Sequence, residues 1–216
     1  MRTPLILSIE AAMIATLVCA VLGTCLARLI LYKRRWQPIV DVITMLPMIL
    51  PPTVTGFLLL KCFGKSGFLG RWLESIGISV VFSFSGVLIA STVVAFPLMY
   101  RTILGAFLQV DEEVLQAART LGISERTIFF QILIPNAKEG VVAGIVLTFT
   151  RALGEFGATI MLAGNIPGKT QTMSIAIYQA VLQGKDEVAY RYVGIVILIS
   201  IICLLIMNLL IRRGKR

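Results

Sequence analysis

The chain has no histidine, only 11 acidic residues and only four cysteines in 216 positions. Each shortage removes a class of chemistry. Without histidine, Ser-His-Asp and Cys-His catalytic arrangements are unavailable, and so is a zinc site of the usual Cys/His type. None of Cys19, Cys25, Cys62 and Cys203 forms a CxxC pair, and Cys19, Cys25 and Cys203 lie inside apolar runs. They read as small apolar residues, not as metal ligands. Charged residues make up 14% of the chain, where a soluble domain carries about 25%.

Hydrophobic residues fill the gap, at 57% of the chain with a mean hydropathy of +0.91. Such a surplus has to face lipid. Five segments are long enough to span about 30 Å of hydrocarbon as helices: 4–31, 38–62, 79–108, 136–163 and 192–211. The expectation is a single all-α membrane domain over residues 1–216, with no internal repeat. The first run exceeds the h-region of about 7–15 residues of a cleaved signal and reads as a span. Met173–Gln183 is too short to cross and reads as an interfacial or re-entrant helix.

The net charge of +9 does not point to nucleic acid, because the cations flank apolar runs, as at Lys33–Arg35 and Arg212–Arg216. With the N-terminus outside, twelve Lys and Arg fall on the inner side and seven outside, with Arg151 inside a span. That bias predicts N-outside, C-inside and places Val110–Pro135 in the cytoplasm.

This stretch, "VDEEVLQAARTLGISERTIFFQILIP", is the polar exception. It divides into two short helices. Asp111 N-caps the first, and Glu112 and Glu113 sit in its first turn, where the helix dipole favours anions. Gly122 suits the left-handed position after Leu121, and Ser124 caps the second helix. The spacing places Val114, Ala117, Ala118 and Leu121 on one face, and Ile128, Phe129, Ile132 and Leu133 on another. A lipid-surface helix carries Lys and Arg above bulky apolar residues. The first helix has acids and alanines instead, which suit a protein-docking surface.

"QAARTLG" followed by "ILIP" resembles the EAA motif of ABC importer permeases: Glu-Ala-Ala, three residues, Gly, nine residues, Ile-x-Leu-Pro. Ala117, Ala118, Gly122, Ile132 and Pro135 match; Gln116 replaces Glu and Ile134 replaces Leu. "FSFSGVLIASTVVAFPLMYRT" and "FTRALGEFGATIMLAGNIPGKTQTMSIAIY" resemble the molybdate-type branch, to which tungstate and sulfate permeases are close. The resemblance implies a type I ABC importer permease fold in the plasma (inner) membrane. It implies a homodimer, two cytoplasmic ABC ATPase subunits that hold ATP-Mg, and an extracytoplasmic oxyanion-binding protein. It makes Glu113, Gln116, Ala117, Ala118, Leu121, Gly122, Ile132 and Pro135 the ATPase-coupling residues.

No cofactor is expected on this chain itself. "GKS" at Gly64–Ser66 and "GKT" at Gly168–Thr170 lack the earlier glycine of the phosphate loop, having Leu59 and Ala163 there. Two intramembrane features are candidate pathway or gate elements. Pro51 and Pro52, with Pro47, break the second span, and the break either presents Thr53 and Thr55 to an anion or is a plain kink. Arg151 and Glu155 are spaced i, i+4, and either line the path or fix packing alongside Gly154 and Gly157. A self-contained channel or secondary transporter is the rival reading; few charges deep in the spans, chiefly Glu10, Arg151 and Glu155, and no repeat argue against it.

Overall fold

A computed structural model of the protein describes residues 3–214. These residues form helices and connecting turns, with no strand among them. Of the cations used to set the orientation, Arg2, Lys215, Arg216 and the side chains of Arg212 and Arg213 lie outside the described residues.

Helix α1 (Pro4–Tyr32) begins where the Thr3 hydroxyl accepts from Ile6 N, with proline in its first turn. Its buried stripe runs through Ala11, Ala12, Ala15, Cys19, Gly23 and Ala27. Small residues four apart let a second helix lie against the backbone. That helix is α5, and it follows three shorter ones: α2 (Gln37–Ile49), α3 (Pro52–Phe63) and α4 (Phe68–Ser75). Helix α5 (Phe84–Leu108) is the centre of the molecule, with α1, α9 and α10 packed around it. It starts later than the predicted 79, because Ser83 caps it and the chain before that residue turns through Phe82 at φ 55°.

The polar loop holds α6 (Glu112–Thr120), α7 (Glu125–Thr127), a π-helical stretch over Ile128–Leu133 and α8 (Ile134–Asn136). Helix α9 (Lys138–Leu153) leaves it at an angle of 73°. Gly140 and Gly144 of α9 face α5: a Cβ on Gly140 would stand 2.2 Å from Ala106 Cβ, so no larger residue fits at this spacing. Helices α10 (Gly157–Ala163), α11 (Met173–Leu182) and α12 (Asp186–Gly214) complete the chain.

Helices α1, α5 and α12 are each long and apolar enough to cross a bilayer, and two bent pairs raise the possible number to five. The second predicted span is α2 and α3, bent by 108°. The fourth, predicted as 136–163, is not continuous. It stops at Gly154 because the Glu155 carboxylate accepts from Ala158 N at 2.9 Å and starts α10 in a new direction. Helix α11 buries Met173, Ile175, Ala176 and Ala180 against α1 and α12, with Met173 N donating to Ser8 Oγ at 2.8 Å.

Candidate functional site

The polar loop is built from its caps. Asp111 accepts from Glu113 N at 2.9 Å. Helix α6 ends in a Schellman motif: Ile123 N donates to Ala118 O and Gly122 N to Arg119 O, with Gly122 at φ 74°. Nothing surrounds the position a Gly122 Cβ would take, so dihedral angle alone selects glycine there. The Ser124 hydroxyl accepts from Thr127 N at 3.2 Å. Ile128, Phe129 and Leu133 are buried and Ile132 is half-buried, all toward the core.

The first helix departs from the predicted face. Leu115 and Ala118 turn inward, joining Ala27, Ile30, Phe107 and Phe129 in one cluster. Val114, Ala117 and Leu121 point out, Leu121 with 79% of its surface exposed. The predicted face and the buried one share only Ala118, because the large Leu115 is drawn into this cluster and rotates the helix toward itself. Glu113, Gln116, Ala117, Leu121, Gly122 and Pro135 are therefore exposed, while Ala118 and Ile132 pack inward.

Glu125, which spacing did not single out, ties this loop to α1. Its Oε2 accepts from the Tyr32 hydroxyl, and its Oε1 from Arg119 Nε at 2.7 Å. Arg28 reaches the Glu125 carbonyl at 3.4 Å and lies over the Phe129 ring, 4.3 Å from its centroid. The bond from Tyr32, then that from Arg119, holds the Glu125 carboxyl below its ordinary range. The same bond raises Arg119.

The two broken spans meet. A Cβ on Gly157 would stand 2.6 Å from Pro52 Cβ, so α10 begins directly on the proline break. Gly154, expected to help, touches only its own turn; the close approach belongs to Gly157 and Gly56. Pro51 and Thr53 are exposed at the break. Thr55 is buried, and its hydroxyl donates to Pro47 O at 3.4 Å, occupying a carbonyl that the prolines leave free. Glu155, 2% exposed, accepts from Arg151 at 2.8 Å as well as from Ala158 N.

Asp41 is a further charge within a span, beyond Glu10, Arg151 and Glu155, that spacing does not single out. Asp41 of α2 accepts from the buried Tyr100 hydroxyl at 2.8 Å and pairs with Arg101. The signal available was an aspartate one turn into an apolar helix.

The chain belongs to the family of binding-protein-dependent transport system inner membrane components, whose defining pattern matches residues 11–216. It is thus a multi-pass inner-membrane transport component and not an enzyme, and membership implies a separate ATPase and a substrate-binding partner. It is similar to the putative molybdenum transport system permease protein YvgM of Bacillus subtilis (strain 168), 41% identical over 205 residues, 94% of this chain and 90% of that one. It is also similar to the molybdenum transport system permease protein ModB of Escherichia coli (strain K12), 42% identical over 181 residues, 83% of this chain and 79% of that one. Its fold is shared with the inward-facing MetNI methionine ABC transporter, with a TM-score of 0.76 over 97% of this chain and 94% of that one. At 16% identity that likeness shows the fold, which is the type I importer permease fold expected from the resemblance.

Proposed function

We propose that two copies of this chain form the membrane pathway of an ATP-driven molybdate importer. The observation that carries the reading is the open strip Val114–Ala117–Leu121 on a firmly capped helix, in a chain 41% and 42% identical to two molybdenum permeases over 90% and 79% of their lengths. An apolar strip beside Glu113 and Gln116 on a rigid helix suits the groove of an ATPase subunit, which holds ATP-Mg. An extracytoplasmic oxyanion-binding protein delivers the substrate to the outer face. The N-terminus is outside, the C-terminus and the polar loop are cytoplasmic, and lipid covers the remaining apolar surface.

Closure of the ATPases moves the loops, and the helices they carry expose the path to each side in turn. Broken backbone at membrane depth has to pack in protein or line water. The exposed Pro51–Thr53 break belongs to that path on this reading, with Arg151, held by Glu155 just before the Gly157–Pro52 contact, as the cation. The test is uptake of labelled molybdate by the reconstituted complex, with tungstate and sulfate as competitors. Tungstate should compete and sulfate should not; strong competition by sulfate would move the chain to the sulfate-type branch.

A further inference from the structure

The polar loop is joined by chain to α5 and α9, but each junction is a corner. Gln109–Asp111 is a turn between α5 and α6. At Ala137 the chain bends by 73° before α9. Corners transmit a push poorly, because the dihedral angles there can absorb it. The loop's polar side-chain ties go elsewhere, to the last two turns of α1 and the residues just after it.

These ties converge on Glu125. The carboxylate bridges Tyr32 of α1 and Arg119 of α6. Arg119 lies over the Tyr32 ring, 5.9 Å from its centroid, so the three side chains close a triangle. Arg28 holds the Glu125 carbonyl and stacks on Phe129. Farther out, Arg34 lies 3.8 Å from Glu112. Beneath, Leu115 and Ala118 of α6 share one apolar cluster with Ala27 and Ile30 of α1. Helix α1 is unbroken for 29 residues, roughly 43 Å at 1.5 Å per residue, and packs along both α5 and α9.

We infer that Glu125 is a positioning residue for transport: with Tyr32 and Arg119 it clasps the docking helix to α1, so that loop and α1 move as one body. This inference rests on the importer reading above. The clasp is a contiguous network between a docking surface and a rigid element, and such networks change coupling by roughly 0.5–2 kcal/mol when cut. It uses no residue of the exposed docking strip.

The test uses the complete reconstituted complex in vesicles, comparing wild type with Tyr32→Phe, Glu125→Gln and the double variant. Three quantities are read: bound ATPase subunits, ATP hydrolysis, and molybdate imported per ATP. Both single variants should retain their ATPase subunits and hydrolysis while molybdate per ATP falls about three- to tenfold. The double variant should fall no further than the worse single one, because both cut one clasp. Unchanged molybdate per ATP would overturn the inference, as would a fall that only follows loss of ATPase subunits.

A second arm removes Cys19, Cys25, Cys62 and Cys203, then introduces Tyr32→Cys and Glu125→Cys and joins them with a short bifunctional thiol linker. Linking should restore molybdate per ATP. Uptake blocked by the linker, with ATPase subunits still bound, would mean that the clasp opens in each cycle and would also overturn it. No ATP-driven uptake of any oxyanion by the wild-type complex would instead remove the importer reading itself.

Discussion

The backbones of Gly56 and Ala158 touch: a Cβ placed on Gly56 would stand 2.8 Å from Ala158 Cα and 2.7 Å from Met161 Cβ. This contact binds α3, the far half of the proline-broken span, to α10, the far half of the other broken span. Gly56→Val should force the two apart. Overpacking of this kind costs roughly 1–3 kcal/mol. Thermal unfolding of the purified chain in detergent checks it: Tm should fall for Gly56→Val and not for the exposed neighbour Phe57→Val.

Gly122 is held by its angle and not by space. Gly122→Ala should cost the loop about 1–2 kcal/mol, the strain of an ordinary residue in the left-handed region, and a β-branched residue more. Gly122→Val should insert in the membrane normally, lose ATPase subunits on purification and lose uptake. Full uptake by this variant would contradict a coupling role for the loop.

Asp41 joins α2, which buries none of its own residues, to α5 through Tyr100 and Arg101. Asp41→Ala leaves a guanidinium and a buried phenol without their shared acceptor. Hydrogen bonds to a charged group are worth about 1.5–3 kcal/mol, and part-exposed Arg101 lowers that figure. The variant should melt earlier than wild type, and Asp41→Asn, which keeps an acceptor for Tyr100, should lie between the two.

The Glu125 carboxyl is held below its ordinary value of 4.5 by Tyr32 and Arg119. A lowered folded value means that the clasp contributes fully above that ordinary value and loses its contribution as pH falls through the lowered one. Protease nicking between α6 and α7 should therefore be flat near neutrality and rise only in strong acid. In Glu125→Gln the acid rise should be absent. A rise centred near pH 7 would assign the effect to another group.

Orientation can be read with thiols. Cys62 is exposed at the end of α3, and Cys25 is exposed on the flank of α1 within an apolar run. With the N-terminus outside, a membrane-impermeant maleimide added to intact cells should label Cys62 and leave Cys25 to the lipid. Labelling of Cys62 only after the cells are opened would reverse the topology.

The sequence by itself determined that this is a helical membrane protein, and where its polar loop and its proline break fall. Apolar runs, prolines and capping residues act over a few neighbours, so Asp111, Gly122, Ser124 and Pro51–Pro52 were legible one at a time. Tertiary structure decided what depends on residues far apart in the chain. Which face of α6 turns inward was set by Leu115 joining the apolar cluster that also holds Ile30 and Phe107, and period alone leaves that rotation open by one position. Glu155 has a partner four residues back, yet its second bond, to Ala158 N, ends the helix on which that spacing was counted. Tyr32 and Glu125 stand 93 positions apart, and Asp41 and Tyr100 stand 59 apart. Their bonds exist only because α1, α2, α5 and the polar loop converge at one end of the molecule.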